Sequence, residues 1–434
     1  MEQRRLRHRI LVVPLPLHSP PPSAAGEHRA TVVALDREEA TAARVARPKR
    51  MRSYSYAAGM GLPDEIVVWD IFLRLPSKAI LRCRAVCRSW RGITSAPDFL
   101  LAHHRRQPSL PLVALDATDS GLSLSDATAK CCPPILGFDD YDGWKLAASC
   151  DGLLLVSLSN ARFSICNPAT RQCAPLPGLT TVRYIHVAGL YPHGSSGDYR
   201  VLYWKRPEYY ILSMQQRHSS RRIGVPTASP DMKMVMREEE GLISKTRDPP
   251  IMLRNCLHWK PAHYDDPNYA AGIVVFDTVT ELFRLMPGPA AAATTASRRT
   301  SLHDMDGSIG LGCFDEESAT AKIWVLEDYE KEVWSFKYQI ELPVWSMPHH
   351  AYVQRVVLPH SRNMLVCRHS NFFSSCMFHH DTNGNLLEEL RWGPWRSSIT
   401  GHWFKESLVK HAFFPSPSGA PPLLFRKLRD DGRI

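Results

Sequence analysis

A fifteen-residue pattern recurring along the C-terminal part of the chain constrains its fold more than any other feature. Phe163–Pro177 reads FSICNPATRQCAPLP and Ile273–Pro287 reads IVVFDTVTELFRLMP. Each has four mostly apolar residues, then Asn167 or Asp277, Thr170 or Thr280 three positions on, and finally Leu176-Pro177 or Met286-Pro287. An Asn or Asp side chain opens a turn by accepting from nearby backbone N–H groups, so the flanking apolar runs are expected to pair as a hairpin. Looser copies occupy Tyr209–Pro226, Ile323–Tyr338 and Cys376–Leu390, and the five starts lie 46, 64, 50 and 53 residues apart. Short strands repeating about every 40–50 residues predict propeller blades, each unable to bury its faces without neighbours. The widest interval holds Thr227–Pro250, a charged stretch with Met232, Met234 and Met236 that reads as an inserted loop. Residues 107–434 then accommodate roughly six or seven blades. Trp204, Trp259, Trp324 and Trp334 are expected to pack between blades.

Upstream the periodicity changes from that of strands to that of helices. Gly61–Thr94 reads GLPDEIVVWDIFLRLPSKAILRCRAVCRSWRGIT. Pro63 suits a first helical turn, with Asp64 and Glu65 complementing the positive end of the dipole. Val68, Ile71, Phe72 and Leu75 fall at i, i+3, i+4 and i+7, which is one apolar face. Pro76 ends that helix, and Ser77 is placed to cap the next. From Cys83, the residues Val86, Cys87, Trp90 and Ile93 continue a second apolar face, while Arg84, Arg88 and Arg91 line another side. Three helices in so short a span bury too little surface to stand alone, so this hook is expected to finish its core against something else, of acidic character.

The net charge of +10 is unevenly placed. Residues 1–60 carry eleven Lys/Arg against five Asp/Glu, residues 61–106 eight against four, and residues 107–434 thirty-four of each. A neutral large domain argues against nucleic acid as its ligand, and no run of eighteen apolar residues suggests a membrane span. Eleven cysteines without framework spacing read as reduced thiols of the cytoplasm, the nucleus or both. Cys83-x3-Cys87 followed by His103-His104 has the composition of a zinc site, but both cysteines share an apolar face with Trp90, which favours buried thiols. Residues 1–60 read as a disordered basic arm, because Pro14 and Pro16 cut short the apolar run after Arg4, Arg5, Arg7 and Arg9. Arg47-Pro48-Lys49-Arg50-Met51-Arg52 has the composition of a nuclear import signal, or of a solvated arm.

Two sets of fragments resemble known families. Leu62-Pro63-Asp64-Glu65, Arg74-Leu75-Pro76 and Leu81 to Arg91 (LRCRAVCRSWR) are similar to a plant F-box. Ser149-Cys150-Asp151-Gly152-Leu153-Leu154, Ile165 to Thr170, Asn255-Cys256-Leu257-His258-Trp259 and Ile323 to Leu326 resemble the F-box-associated domain, a kelch-like propeller, although the Gly-Gly pair of many kelch blades is missing. The resemblance implies a multidomain α+β chain: a disordered arm (1–60), a three-helix F-box (61–105), a linker with first strands (106–140), an all-β propeller-like domain (141–412) and a C-terminal strand or tail (413–434).

It further implies a substrate receptor of a Skp–cullin–F-box ubiquitin ligase. The F-box would dock on a Skp-type adaptor, and through it a cullin, while the propeller captures a target protein. Leu62, Pro63, Ile66, Val68, Ile71, Leu75, Pro76, Leu81, Cys83, Val86, Cys87 and Trp90 are the residues expected to meet the adaptor. Neither a phosphate loop nor a His-Glu-x-x-His pair occurs, so no catalytic residue, metal or cofactor is expected. His349-His350 and His379-His380 lie near turns and are expected to be solvated. The alternative reading is a kelch-like propeller enzyme or carbohydrate-binding protein with a helical appendage.

Overall fold

A computed structural model of the chain describes residues 7–12, 66–117, 134–139, 145–158, 162–179, 185–224, 248–260, 272–290, 299–341, 353–357, 362–370, 374–390 and 395–415, apart from 195, 206, 217–219 and 316–318. Strand β1 (Arg7–Val12) comes first, then a helical unit containing α1 (Ser77–Cys83), α2 (Arg88–Thr94) and α3 (Pro97–Arg106). Everything beyond is strand and turn. Strands β2 (Ser109–Ala117) and β3 (Pro134–Asp139) lead into five antiparallel sheets of four consecutive strands each. These are β4 (Lys145–Cys150) to β7 (Gln172–Pro175), β8 (Ile185–Pro192) to β11 (Ser220–Gly224), and β12 (Ile251–Leu253) to β15 (Phe283–Pro287). Then come β16 (Arg299–Asp304) to β19 (Val333–Glu341) and β20 (Val353–Val357) to β23 (Leu386–Leu390).

A sixth sheet is assembled from both ends of the chain, in the order β24-β2-β1-β3, with β24 spanning Trp395–Lys405. Placing β24 beside β2 joins the two ends of the chain in one sheet and so closes the ring, a radial arrangement that leaves only short edges. The expectation of an unstructured arm is corrected at one place: Arg7–Val12 pairs with β2 on one side and β3 on the other. The rest of residues 1–60 lies outside the described residues, as do residues 225–247 of the expected inserted loop and residues 416–434 of the tail.

All five copies of the sequence repeat are the same structural part, the hairpin between the third and fourth strands of a consecutive-strand sheet. The Asx chemistry operates as anticipated. Asn167 Oδ1 accepts from the N–H of Thr170, and Asp277 Oδ1 from Val279 and Thr280. Asp328 and Asp381 repeat the arrangement in the next two sheets. Four residues after Asn167, Asp277 and Asp328, the turn ends on Arg171, Glu281 or Glu332 at φ +55 to +58°, the left-handed step that feeds the chain into the return strand.

The core is distributed between sheets. Leu257, Trp259, Val274 and Phe276 of one sheet pack with Ala188, Tyr191 and Leu202 of the preceding one. The Trp259 indole N–H donates across that seam to Ala188 O at 3.2 Å. Trp204 and Trp324 are buried and Trp334 is half-buried. The expectation for His379-His380 is corrected: both are buried in β22 (Ser374–His380), and burial holds the His380 imidazole below its usual pKa. His349-His350 falls outside the described residues.

Candidate protein-docking site

The helical unit begins with an unusual turn. Val67–Ile71 is π-helical, with Phe72 N–H donating to Val67 O, and a 3-10 turn follows at Phe72–Arg74. An i→i+5 bond adds nearly a residue per turn, so Ile71 rotates off the face of Val68 while Phe72 stays on it. Val68 and Phe72 are therefore buried, and Ile71 is 41% exposed. Pro76, in extended conformation, then separates this turn from α1. Ser77 does not act as the cap: it is the first helical residue, and its N–H donates to Glu406 Oε2 at 2.9 Å.

The single helix expected from Cys83 onward is two pieces. Cys87 is extended (φ −152°, ψ 165°), and its Sγ accepts the N–H of Trp90 as an N-cap to α2. Arg84 staples the break, donating from Nη2 to Thr94 O at 2.6 Å and from Nε to Thr94 Oγ1 at 3.3 Å. That guanidinium is a structural tie and not part of a free cationic stripe. Inside, Val68, Phe72, Leu73, Ile80, Phe99 and Leu100 form a small core, with the Trp90 and Phe72 rings nearly perpendicular and 4.9 Å between centroids. His103 is fully buried, burial lowers its pKa, and Nε2 lies 2.8 Å from the Leu75 carbonyl, which can only accept.

The expectation that this core awaits an acidic partner is corrected by what completes it. Leu408, 1% exposed, and Val409 come from the segment after β24, and Ala169 comes from the β6–β7 turn. Polar contacts fix this joint. His104 Nδ1 lies 2.9 Å from Glu406 O, and its Nε2 lies 3.5 Å from Asp151 Oδ1. Asp151 Oδ2 also accepts the Tyr199 hydroxyl at 2.9 Å. Lys405 Nζ donates to Arg105 O, and Asn167 Nδ2 donates to Ser407 O. Burial raises the pKa of Asp151, but the bonds from His104 and Tyr199 outweigh it and leave the carboxyl below its usual value. Gly152, at φ +82°, lets the 405–407 segment pass, since a Cβ there would sit 2.5 Å from Ser407 Cβ. The Ser149–Leu154 fragment is thus the seat of the helical unit.

What remains outside includes large apolar side chains among charged ones such as Arg74, Lys78, Arg82 and Arg88. Ile66, Trp69 and Ile71 are each a little over 40% exposed, Leu81 is 38% and Val86 is 66%. Among the sequence-predicted docking residues, Ile66, Ile71, Pro76, Leu81, Val86 and Cys87 are exposed. Leu75, Cys83 and Trp90 are half-buried in the internal core, and Leu62 and Pro63 lie outside the described residues. Val68 is a correction, because it faces inward and cannot meet a partner. Trp69 was missed: it sits off the periodic face, so its size was the only sequence signal.

A second concavity lies along the propeller axis, a cavity of about 360 Å³ among the first strands of the sheets. Ser149, Ser301, His303, Asp304, His402 and Trp403 line it. Burial pushes His303 and His402 to about 4, so both are neutral imidazoles near neutral pH. Pro249 lies across the ring against β24, where Gly401 (φ +75°) leaves room: an added Cβ would sit 2.6 Å from Pro249 Cδ. Among the described residues no group of three or more His, Cys, Asp or Glu is arranged to hold a metal ion. Within it Ser301 Oγ lies 2.9 Å from His303 Nε2 and Ser149 Oγ lies 3.5 Å from His402 Nδ1, so the cavity offers paired hydrogen-bonding groups.

Comparison with known proteins divides the chain at the same joint. A family model described as the F-box associated beta propeller domain matches residues 137–401, and an F-box-like model matches residues 60–106. The F-box protein CPR1 of Arabidopsis thaliana is 24% identical over 315 residues, covering 64% of this chain and 72% of that protein. The putative F-box/kelch-repeat protein At1g15680 of the same plant is 24% identical over 323 residues, covering 67% and 74%. Among solved structures, the Cps50 (Swd1) β-propeller domain of Myceliophteria thermophila aligns at 10% identity over 58% of this chain and 74% of that one, with a TM-score of 0.34, too loose to carry an argument.

Proposed function

The chain belongs to the F-box associated β-propeller family, and on that premise we propose that it is the substrate-receptor subunit of a Skp–cullin–F-box ubiquitin ligase. The observation that carries this reading is the division of labour in the helical unit. One side is fastened to the propeller through Leu408, Glu406 and Asp151, while Ile66, Trp69, Ile71, Leu81 and Val86 remain exposed. An apolar patch of this kind marks a protein interface, and a Skp-type adaptor is the partner implied.

The target would dock on the far face of the ring. The helical unit touches the β4–β5 and β6–β7 turns, which leaves the opposite face for a target. Catalysis would then be proximity: a target held rigidly beside a ubiquitin-charged partner gains effective concentration without a reactive group in this chain. Such a receptor would act in the cytoplasm, the nucleus or both.

The test is co-purification of the full chain with a Skp-type adaptor, comparing wild type with Leu81→Asp/Val86→Asp. Both side chains are exposed, so the variant should fold with wild-type stability and lose the adaptor. A folded variant that retains the adaptor at wild-type level refutes the assignment of this face.

A further inference from the structure

Cys166 and Cys173 face each other across the β6–β7 hairpin, with their Sγ atoms 2.8 Å apart. We propose that these two residues form a reversible dithiol–disulfide modification site that reacts with glutathione disulfide. This goes beyond the receptor reading and does not depend on it.

The strand register supports closure. Leu176 N–H donates to Phe163 O, so hydrogen-bonded pairs in this hairpin fall on Phe163, Ile165 and Asn167, and the Cys166–Cys173 pair is non-hydrogen-bonded. Opposed Cα atoms at such a position are about 4.5 Å apart, within the span a disulfide bridges. Drawing the sulfurs together needs a movement of roughly 0.8 Å, from 2.8 Å to the bonded distance. No other cysteine is within hydrogen-bonding reach of either sulfur among the described contacts.

The pair is also chemically asymmetric. Cys166 is fully buried, and burial raises its pKa, with Cys173 adding to the rise. Cys173 is half-buried, and its thiol is lowered by the hydrogen bond from Cys166, against burial, with help from Ser164. The accessible sulfur is thus the better nucleophile. In the first step the Cys173 thiolate attacks one sulfur of glutathione disulfide, forming a mixed disulfide and releasing one glutathione thiolate. In the second, Cys166 gives its proton to the departing glutathione and attacks Cys173 Sγ. The two cysteines are oxidised, one glutathione disulfide is reduced, and two glutathione thiols leave.

The location gives the bond a consequence. Asn167, next to Cys166, donates to Ser407 O, and Ala169 in the same turn packs on the helical core. A bridge at 166–173 pins the hairpin that seats the helical unit.

The full chain should be equilibrated in glutathione buffers of graded ratio, quenched by alkylation and cleaved with trypsin. Cleavage after Arg171 puts Cys166 on Phe163–Arg171 and Cys173 on Gln172–Arg183, so the bridge appears as two linked peptides. The expected result is linkage that rises with the oxidised fraction and reverses on reduction. Cys166→Ala should instead accumulate glutathione on Cys173. Separately alkylated peptides at every ratio overturn the proposal, and so does linkage of either cysteine to a different one. If Cys166→Ala fails to fold, the wild-type linkage series decides alone.

Discussion

Leu408→Ala tests whether the helical unit depends on the propeller. Leu408 is 1% exposed and lies against Val68, Phe72, Leu73, Ile80, Phe99 and Leu100. Truncating a buried leucine to alanine costs about 2–5 kcal/mol, the transfer term plus the cavity left behind. A unit of this size buries a small core and has little stability in reserve. A loss of about 3 kcal/mol raises the population of its open state by a factor on the order of 100. Amide hydrogen exchange reads this directly. The Ile80 and Leu100 amides, bonded to Pro76 O and Ala96 O, should exchange faster by about that factor. Amides in β14 (Gly272–Asp277), in the sheet core, should keep their rates. Unchanged rates at Ile80 and Leu100 refute the claim that the propeller completes this core. An equal loss in β14 refutes it in another way, by showing that helices and ring unfold as one unit.

Other outcomes follow from the same geometry. Trp90→Ala removes the T-shaped ring contact with Phe72, and because Trp90 is half-buried it should destabilise the helical unit by about 2–3 kcal/mol, measured by the same exchange experiment; wild-type rates would contradict the packing role. Gly152→Ala should loosen the joint, since a Cβ meets Ser407 Cβ at 2.5 Å and Lys405 O at 2.7 Å and φ is +82°; unchanged proteolysis of residues 66–106 would show that the 405–407 segment simply shifts. His258 and His303 have folded pKa values of about 4, below the unfolded value, so the unfolded chain takes up protons first. Propeller stability should therefore fall from about pH 6.5 down to about 4, by about 1.4 kcal/mol per unit for each histidine, and a urea midpoint constant over that window would show that these rings are not held neutral.

The hairpins were legible because their signal is local. An Asx residue between two apolar runs specifies the turn within fifteen residues at Asn167, Asp277, Asp328 and Asp381, and Ser213 accepts from the turn in the same way in the remaining hairpin. The helical segment was legible as helical, but two of its faces were misjudged. Val68, Ile71 and Phe72 were expected on one face, but Ile71 turns off it because the first turn is π-helical, and periodicity assumes the ordinary α-helical repeat. Val86 and Cys87 left the expected face because Cys87 adopts an extended cap.

By itself, then, the sequence determined which stretches form helices and which form repeated hairpins, since turn chemistry and apolar period act over a few residues. Only the tertiary structure decided how the ring closes, through Arg7–Val12 and Trp395–Lys405 lying in one sheet. It alone also decided that Leu408 and Glu406 seat the helices, contacts spanning some three hundred residues of chain. No local pattern encodes such pairings, because the free energy that selects them comes from burial between segments that meet only after the ring has formed.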